Sequence, residues 1–271
     1  MKSRFFTWGD AEEGVALSDR TPGEKPLKAK EPAKNLGGPT RLILTTLLIF
    51  LASQIIAAFI VELGMAILHP NSHQSLDDSV AAQFVYILIA EGLAAWLVIK
   101  IVRKRGLKLA AIGLGRKPNS SDLIKAAIGF GAFYALLIVA GLIVNAVSPD
   151  LTNQKQNVGF NHISNGLENI LAFVSLVILP PLGEEILVRG YLYSGLRKVM
   201  KFVPALVVTS IFFGAAHLQI GGGTPLVWAA AIDTFLLSVV LVYLRERTSA
   251  LYAGMLVHML NNLLAFFVVI K

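Results

Sequence analysis

Residues 42–61 read LILTTLLIFLASQIIAAFIV, twenty consecutive residues without a charged side chain. A helix of this length is ~30 Å long, which is the thickness of the hydrocarbon core of a bilayer. Residues 126–147 form a second uncharged run of the same kind. Together these two runs predict a protein that crosses a membrane more than once.

The composition agrees with a membrane protein. Hydrophobic residues make up 55% of the 271 residues and charged residues only 15%, against ~25% charged residues in a typical soluble domain. Because the chain has no cysteine, disulfides, thiolate metal sites and a cysteine nucleophile are excluded. The net charge of +7 comes from short basic runs beside apolar segments, such as residues 103–105. This placement is typical of cytoplasmic loops, so we expect the lipid bilayer, and no nucleic acid, as a partner.

We predict an all-α fold, a polytopic transmembrane helix bundle of about seven spans with a disordered cytoplasmic tail at residues 1–39. The tail is rich in charged residues and proline and has no sustained apolar period. Residues 40–120 are expected to hold the first two spans and a basic cytoplasmic loop. The predicted spans cover about 41–67, 79–102, 122–147, 167–196, 202–218, 225–244 and 250–270.

Basic residues set the predicted orientation. Residues 103–117 contain six basic and no acidic side chains, and basic residues also follow spans four and six. The positive-inside rule places these three connections, and with them the N-terminus, in the cytoplasm. The C-terminus then lies on the far side. We expect a multi-pass protein of the plasma or inner membrane of a bacterium.

Several polar side chains fall inside predicted spans, where a central charge costs roughly 2.5–3.5 kcal/mol on insertion scales. Glu184 and Glu185 follow the double proline at 180–181, which cannot donate backbone hydrogen bonds and should kink the helix. Spacing of four residues lets Glu185 pair with Arg189, while Glu184 points about 100° away. In later spans, His217 ends one uncharged run, and His258 and Asn262 form a polar stripe, again four residues apart.

Counting helical residues from the nearest basic anchor predicts how deep these groups lie. At ~1.5 Å per residue, Glu184 lies ~20 Å from Arg197, His217 ~24 Å from Lys201, and His258 ~16 Å from Arg247. Three spans therefore place polar groups in one layer of the membrane, as expected if they form one site.

Three motifs occur in this order: Glu-Glu-x-x-x-Arg at 184–189, Phe-x-x-x-His at 213–217 and His-x-x-x-Asn at 258–262. Together they resemble the CAAX-protease and bacteriocin-processing family, also called the type II CAAX prenyl endopeptidases, over roughly residues 120–270. The resemblance implies that residues 121–271 are a catalytic membrane core. It further implies an intramembrane endopeptidase acting on a membrane-associated peptide or protein, such as a prenylated or leader-type substrate.

The resemblance also implies roles for the motif residues. Glu184, assisted by His217, would activate a water as general base, and His258 with Asn262 would stabilise the oxyanion. Glu185, Arg189 and Phe213 would support them structurally. We favour a mechanism without a metal, although the family is often labelled metalloprotease and zinc stays open, with Glu184, His217 and His258 as its ligands.

Two other functions are compatible with the sequence. One is a non-catalytic peptide-binding or bacteriocin-immunity protein on the same fold, which would have no need of intact motifs. The other is a small transporter that uses the polar layer as an ion relay, which the absence of a visible internal repeat disfavours. Glu91 and Asp233 also lie within spans, and we expect structural roles for both.

Overall fold

The computed structural model describes residues 36–70, 76–152, 159–160, 163–218 and 227–269, and the described part of the chain is helical with no β-strand. The predicted disordered tail falls almost wholly outside these residues. Short helical turns at Leu76–Asp78, Leu109–Ile112 and Pro149–Thr152 flank the long helices. The seven apolar helices are α1 Pro39–Leu68, α2 Val80–Lys104, α3 Ser120–Val147, α4 Gly166–Leu196, α5 Phe202–Ala216, α6 Trp228–Thr248 and α7 Tyr252–Val269.

Local chemistry explains where two of these helices begin. The Ser79 hydroxyl accepts from the backbone N–H of Ala82 at the start of α2. At the start of α3, Asn119 and Asp122 form a reciprocal capping box, and Arg116 makes two hydrogen bonds to the same Asp122 carboxylate. Such caps satisfy the first backbone donors of a helix, which have no partner within it.

The outer faces of the helices are apolar. Five of the seven helices are long and apolar enough to cross a membrane, and the most apolar 18-residue window of α3 is only 11% buried inside the molecule. Ile128, Leu142 and Val147 are between 68% and 80% exposed. Water would not tolerate so continuous an apolar surface, so lipid covers it. The protein is a multi-pass membrane protein, and the all-α fold class is confirmed. Five of the seven predicted spans correspond to helices long enough to cross a membrane, whereas the predicted spans at 202–218 and 250–270 correspond to the shorter apolar helices α5 and α7.

The main core packs α1, α2, α4 and α5 together, with fully buried Leu42, Val98 and Leu196 at its centre. Leu36, just before α1, is also buried in this core. Small residues allow the close contacts: a Cβ on Gly214 of α5 would lie 2.8 Å from the Ala231 carbonyl oxygen of α6. Close approach at small residues is the usual packing mode of helices in membranes.

Helix α4 is not a regular α-helix. Residues Val174–Ile178 and Glu185–Tyr193 adopt π-helical geometry, on either side of the α-helical segment Leu179–Glu184 that holds the double proline. Because prolines have no N–H, the hydrogen-bond ladder must shift register around them. The sequence predicts a kink here, and the structure shows a change of helical register, with Glu184 and Glu185 at the junction of the α-helical and π-helical segments.

Candidate functional site

Three helices bring Glu184, His217 and His258 together. Nε2 of His217 lies 3.8 Å from Oε1 of Glu184, and Nε2 of His258 lies 3.7 Å from Oε2 of the same carboxylate. Each imidazole therefore faces a different oxygen of Glu184. Both separations are too long for a direct hydrogen bond. A small polar molecule such as water, placed between an imidazole and the carboxylate, would bridge them by hydrogen-bonding to both.

The three side chains differ in exposure. Those of Glu184 and His217 are 20% and 31% exposed, whereas that of His258 is only 4% exposed. The accessible edge of the site is thus formed by Glu184 and His217, and His258 forms its inner wall.

The chemistry of His217 is set by its other ring nitrogen. Nδ1 lies 2.9 Å from the Phe213 carbonyl oxygen, which can only accept a hydrogen bond. Nδ1 therefore carries a proton. In the neutral imidazole this leaves Nε2 as an acceptor facing the Glu184 carboxylate, so the two groups together can bind a molecule that donates two hydrogen bonds.

Glu185 and Arg189 form a fully buried ion pair. Arg189 Nη1 lies 2.8 Å from Glu185 Oε1, and the two side chains are 0% and 1% exposed. The guanidinium also stacks over the Phe213 ring at 4.1 Å from its centroid. The same Glu185 Oε1 lies 3.4 Å from Nδ1 of His258, without hydrogen-bonding geometry. The pair thus links the Glu184 helix to both histidine-bearing helices.

Phe213 packs between the charged and the imidazole groups. Its ring centroid lies 4.5 Å from that of His217 and 5.8 Å from that of His258, the latter edge to face. Phe213 is 1% exposed. Its buried ring therefore packs against both imidazoles of the site.

Asn262 makes a contact that the sequence does not predict. Its Nδ2 donates a hydrogen bond of 2.9 Å to the backbone carbonyl of Leu176 in α4. Because the amide nitrogen carries two hydrogens, one N–H remains to serve as the predicted oxyanion donor. The neighbouring Asn261 points elsewhere and accepts from the Tyr134 hydroxyl.

The two other membrane carboxylates lie in different places. Glu91 of α2 packs directly on Gly183, the residue before Glu184, so closely that a Cβ on Gly183 would overlap the Glu91 side chain. Asp233 of α6 lies half-buried, within electrostatic range of Tyr134 on α3. Glu91 therefore borders the site, although it belongs to no motif and only its depth in the membrane indicated a place in the polar layer.

Glu184, His217 and His258 are the residues that would hold a zinc ion if the protein binds one. Within the described ranges, no group of three or more His, Asp or Glu side chains has the arrangement of a preformed metal site. Zinc ligands lie at ~2.0–2.2 Å from the ion, and whether these three side chains bind zinc stays a prediction.

Comparison with known families bears directly on this arrangement. Residues 166–264 match the family described as type II CAAX prenyl endopeptidase Rce1-like. The matched segment runs from the first residue of α4 into α7 and contains all seven motif residues. No curated protein and no solved structure matches the chain.

Proposed function

We propose that this protein, whose residues 166–264 match the type II CAAX prenyl endopeptidase Rce1-like family, is an intramembrane endopeptidase that hydrolyses a peptide bond with a glutamate-activated water. The convergence of Glu184 with His217 and His258 from three helices is the observation that carries the proposal. The substrate is a membrane-associated peptide or protein, of the prenylated C-terminal or leader type.

The first step uses the accessible edge of the site. A water hydrogen-bonded to Glu184 and to Nε2 of His217 loses a proton to Glu184 as its oxygen attacks the carbonyl carbon. Such general-base assistance contributes typically ~10²–10⁴-fold to a rate. The acceptor state of His217, set by the Phe213 carbonyl, supports this role because a water has two hydrogens to donate.

The second step uses the inner wall. The tetrahedral oxyanion accepts hydrogen bonds from His258 and from the free N–H of Asn262, a contribution of ~3 kcal/mol for each such donor. The proton held by Glu184 then passes to the leaving nitrogen, the C–N bond breaks, and a carboxylate and an amine are released. The buried Glu185–Arg189 pair holds the helix that carries the base.

The mechanism needs no metal, and the orientation proposed for it has the N-terminus in the cytoplasm of a bacterium. In that orientation the basic loop between α2 and α3 lies on the cytoplasmic side.

The test is a cleavage screen in proteoliposomes with prenylated, leader-type and unmodified peptides, analysed by mass spectrometry. We expect defined products with the wild type and none with Glu184→Gln. Glu62→Gln is the matched control, since Glu62 is an exposed residue of α1 away from the site. Peptide binding without products would favour the non-catalytic alternative, and solute flux would favour a transporter.

A further inference from the structure

We infer that Asn262 is a positioning residue for Glu184, because it supplies the hydrogen bond that the double proline removes from α4. This inference concerns the site of the proposed endopeptidase and rests on that proposal for its catalytic readout. The geometric part stands on the contact between the Asn262 amide and the Leu176 carbonyl.

The Leu176 carbonyl has lost its helical donors. In an α-helix it would accept from the N–H of residue 180, and in π-helical geometry from that of residue 181. Both are prolines and have no N–H. The remaining nearby donor, the N–H of Leu179, is bonded to the Val174 carbonyl.

A backbone carbonyl without a hydrogen-bond donor destabilises a helix within the membrane, because bulk water is not present there to replace the missing donor. Asn262 satisfies it from α7 at 2.9 Å. The bond is therefore a tie between the helix that carries His258 and the irregular turn of α4 that lies eight residues, about two turns, before Glu184.

The tie has a geometric consequence for catalysis. His258 and Asn262 lie one turn apart on α7, so fixing Asn262 to Leu176 also fixes the distance between His258 and the Glu184 carboxylate. The same bond orients the amide, so its second N–H has a defined direction. When a reacting group is displaced by about 1 Å, the rate of an enzyme falls by on the order of 10²-fold.

A double-mutant cycle tests the inference. Pro180→Ala returns the α-helical donor to the Leu176 carbonyl, so it should compensate for the loss of the amide in Asn262→Ala. We expect the double variant to cleave at least about fivefold faster than the product of the two single effects, with the difference in kcat and not in KM. In the double variant, Pro180→Ala should restore only part of the activity that Asn262→Ala loses, because the oxyanion donor of Asn262 is still missing.

Asn261→Ala is the matched control, since its amide contacts Tyr134 and not Leu176. Its cycle with Pro180→Ala should show no coupling. Independent effects of Asn262→Ala and Pro180→Ala, or equal coupling in the Asn261 cycle, would overturn the inference.

The melting temperatures of the same single and double variants, purified in detergent, provide a second measurement that needs no substrate. Pro180→Ala should raise the melting temperature of Asn262→Ala, or restore its abundance if that variant does not fold alone. A failure of this rescue overturns the positioning role even if the protein is a peptidase. A rescue in a protein that cleaves nothing would retain the tie and reject the proposed function.

Discussion

The neighbouring carboxylates of Glu184 and Glu185 should contribute differently to the stability of the protein, because only Glu185 forms an ion pair with the buried Arg189. Glu185→Gln removes the charge opposite a guanidinium that is 0% exposed, whereas Glu184→Gln acts on a side chain that is 20% exposed. In Arg189, Nε and Nη2 have no hydrogen-bond partner in the described residues, so Nη1 holds the ion pair. The loss of Glu185 therefore leaves a buried, unpaired cation.

Removing one partner of a buried ion pair costs ~3–5 kcal/mol. Because the carbonyl oxygen of glutamine can still accept from Arg189, we expect about 3 kcal/mol of destabilisation for Glu185→Gln, at the lower end of that range. Glu184→Gln should lose less than about 1 kcal/mol, since its oxygens are bonded to no cation.

The assay is unfolding of purified protein in mixed micelles, followed by circular dichroism against denaturant. Replacing both partners, Glu185→Gln with Arg189→Met, should recover most of the stability, because no buried charge is then left alone. Equal stability of Glu184→Gln and Glu185→Gln would refute this account of the pair.

Three further predictions test other parts of the account. Gly183→Ala should destabilise the protein by about 1–3 kcal/mol because its Cβ would overlap Glu91, while Gly92→Ala, which has open space around it, should not; thermal unfolding of the two variants measures the difference. A reporter fused after Lys117 should be cytoplasmic and one fused within residues 151–161 external, and the reverse pattern would invalidate the orientation. His258→Gln should retain cleavage within roughly 10²–10³-fold of wild type, and the purified protein should contain no stoichiometric zinc by elemental analysis; zinc lost together with activity would show that His258 is a metal ligand.

The helices could be predicted from the sequence because lipid imposes one simple requirement, a long uncharged run for each span. The predicted span at 79–102 agrees with Val80–Lys104, and that at 122–147 with Ser120–Val147. The depth count predicted that Glu184 and the two histidines lie in one layer of the membrane, and the structure brings both imidazoles within 4 Å of the Glu184 carboxylate. Their roles in catalysis stay predictions.

Features that depend on backbone register could not be predicted in this way. The double proline at 180–181 indicated a kink, but the π-helical segments on both sides depend on which donors the neighbouring carbonyls find. Similarly, the spacing of Asn262 from His258 indicated a shared face but not the contact with Leu176, which lies 86 residues away. The packing of Glu91 on Gly183 is a contact between helices, which the periodicity of a single helix does not encode.

The most direct test of the central claim is the single-turnover cleavage rate of Glu184→Gln on a peptide that the wild type cuts. The substitution keeps the side-chain volume and removes the base, so the rate should fall by about 10²–10⁴-fold while the unfolding midpoint stays near that of the wild type. A Glu184→Gln protein that cleaves at the wild-type rate would contradict the assignment of Glu184 as the general base.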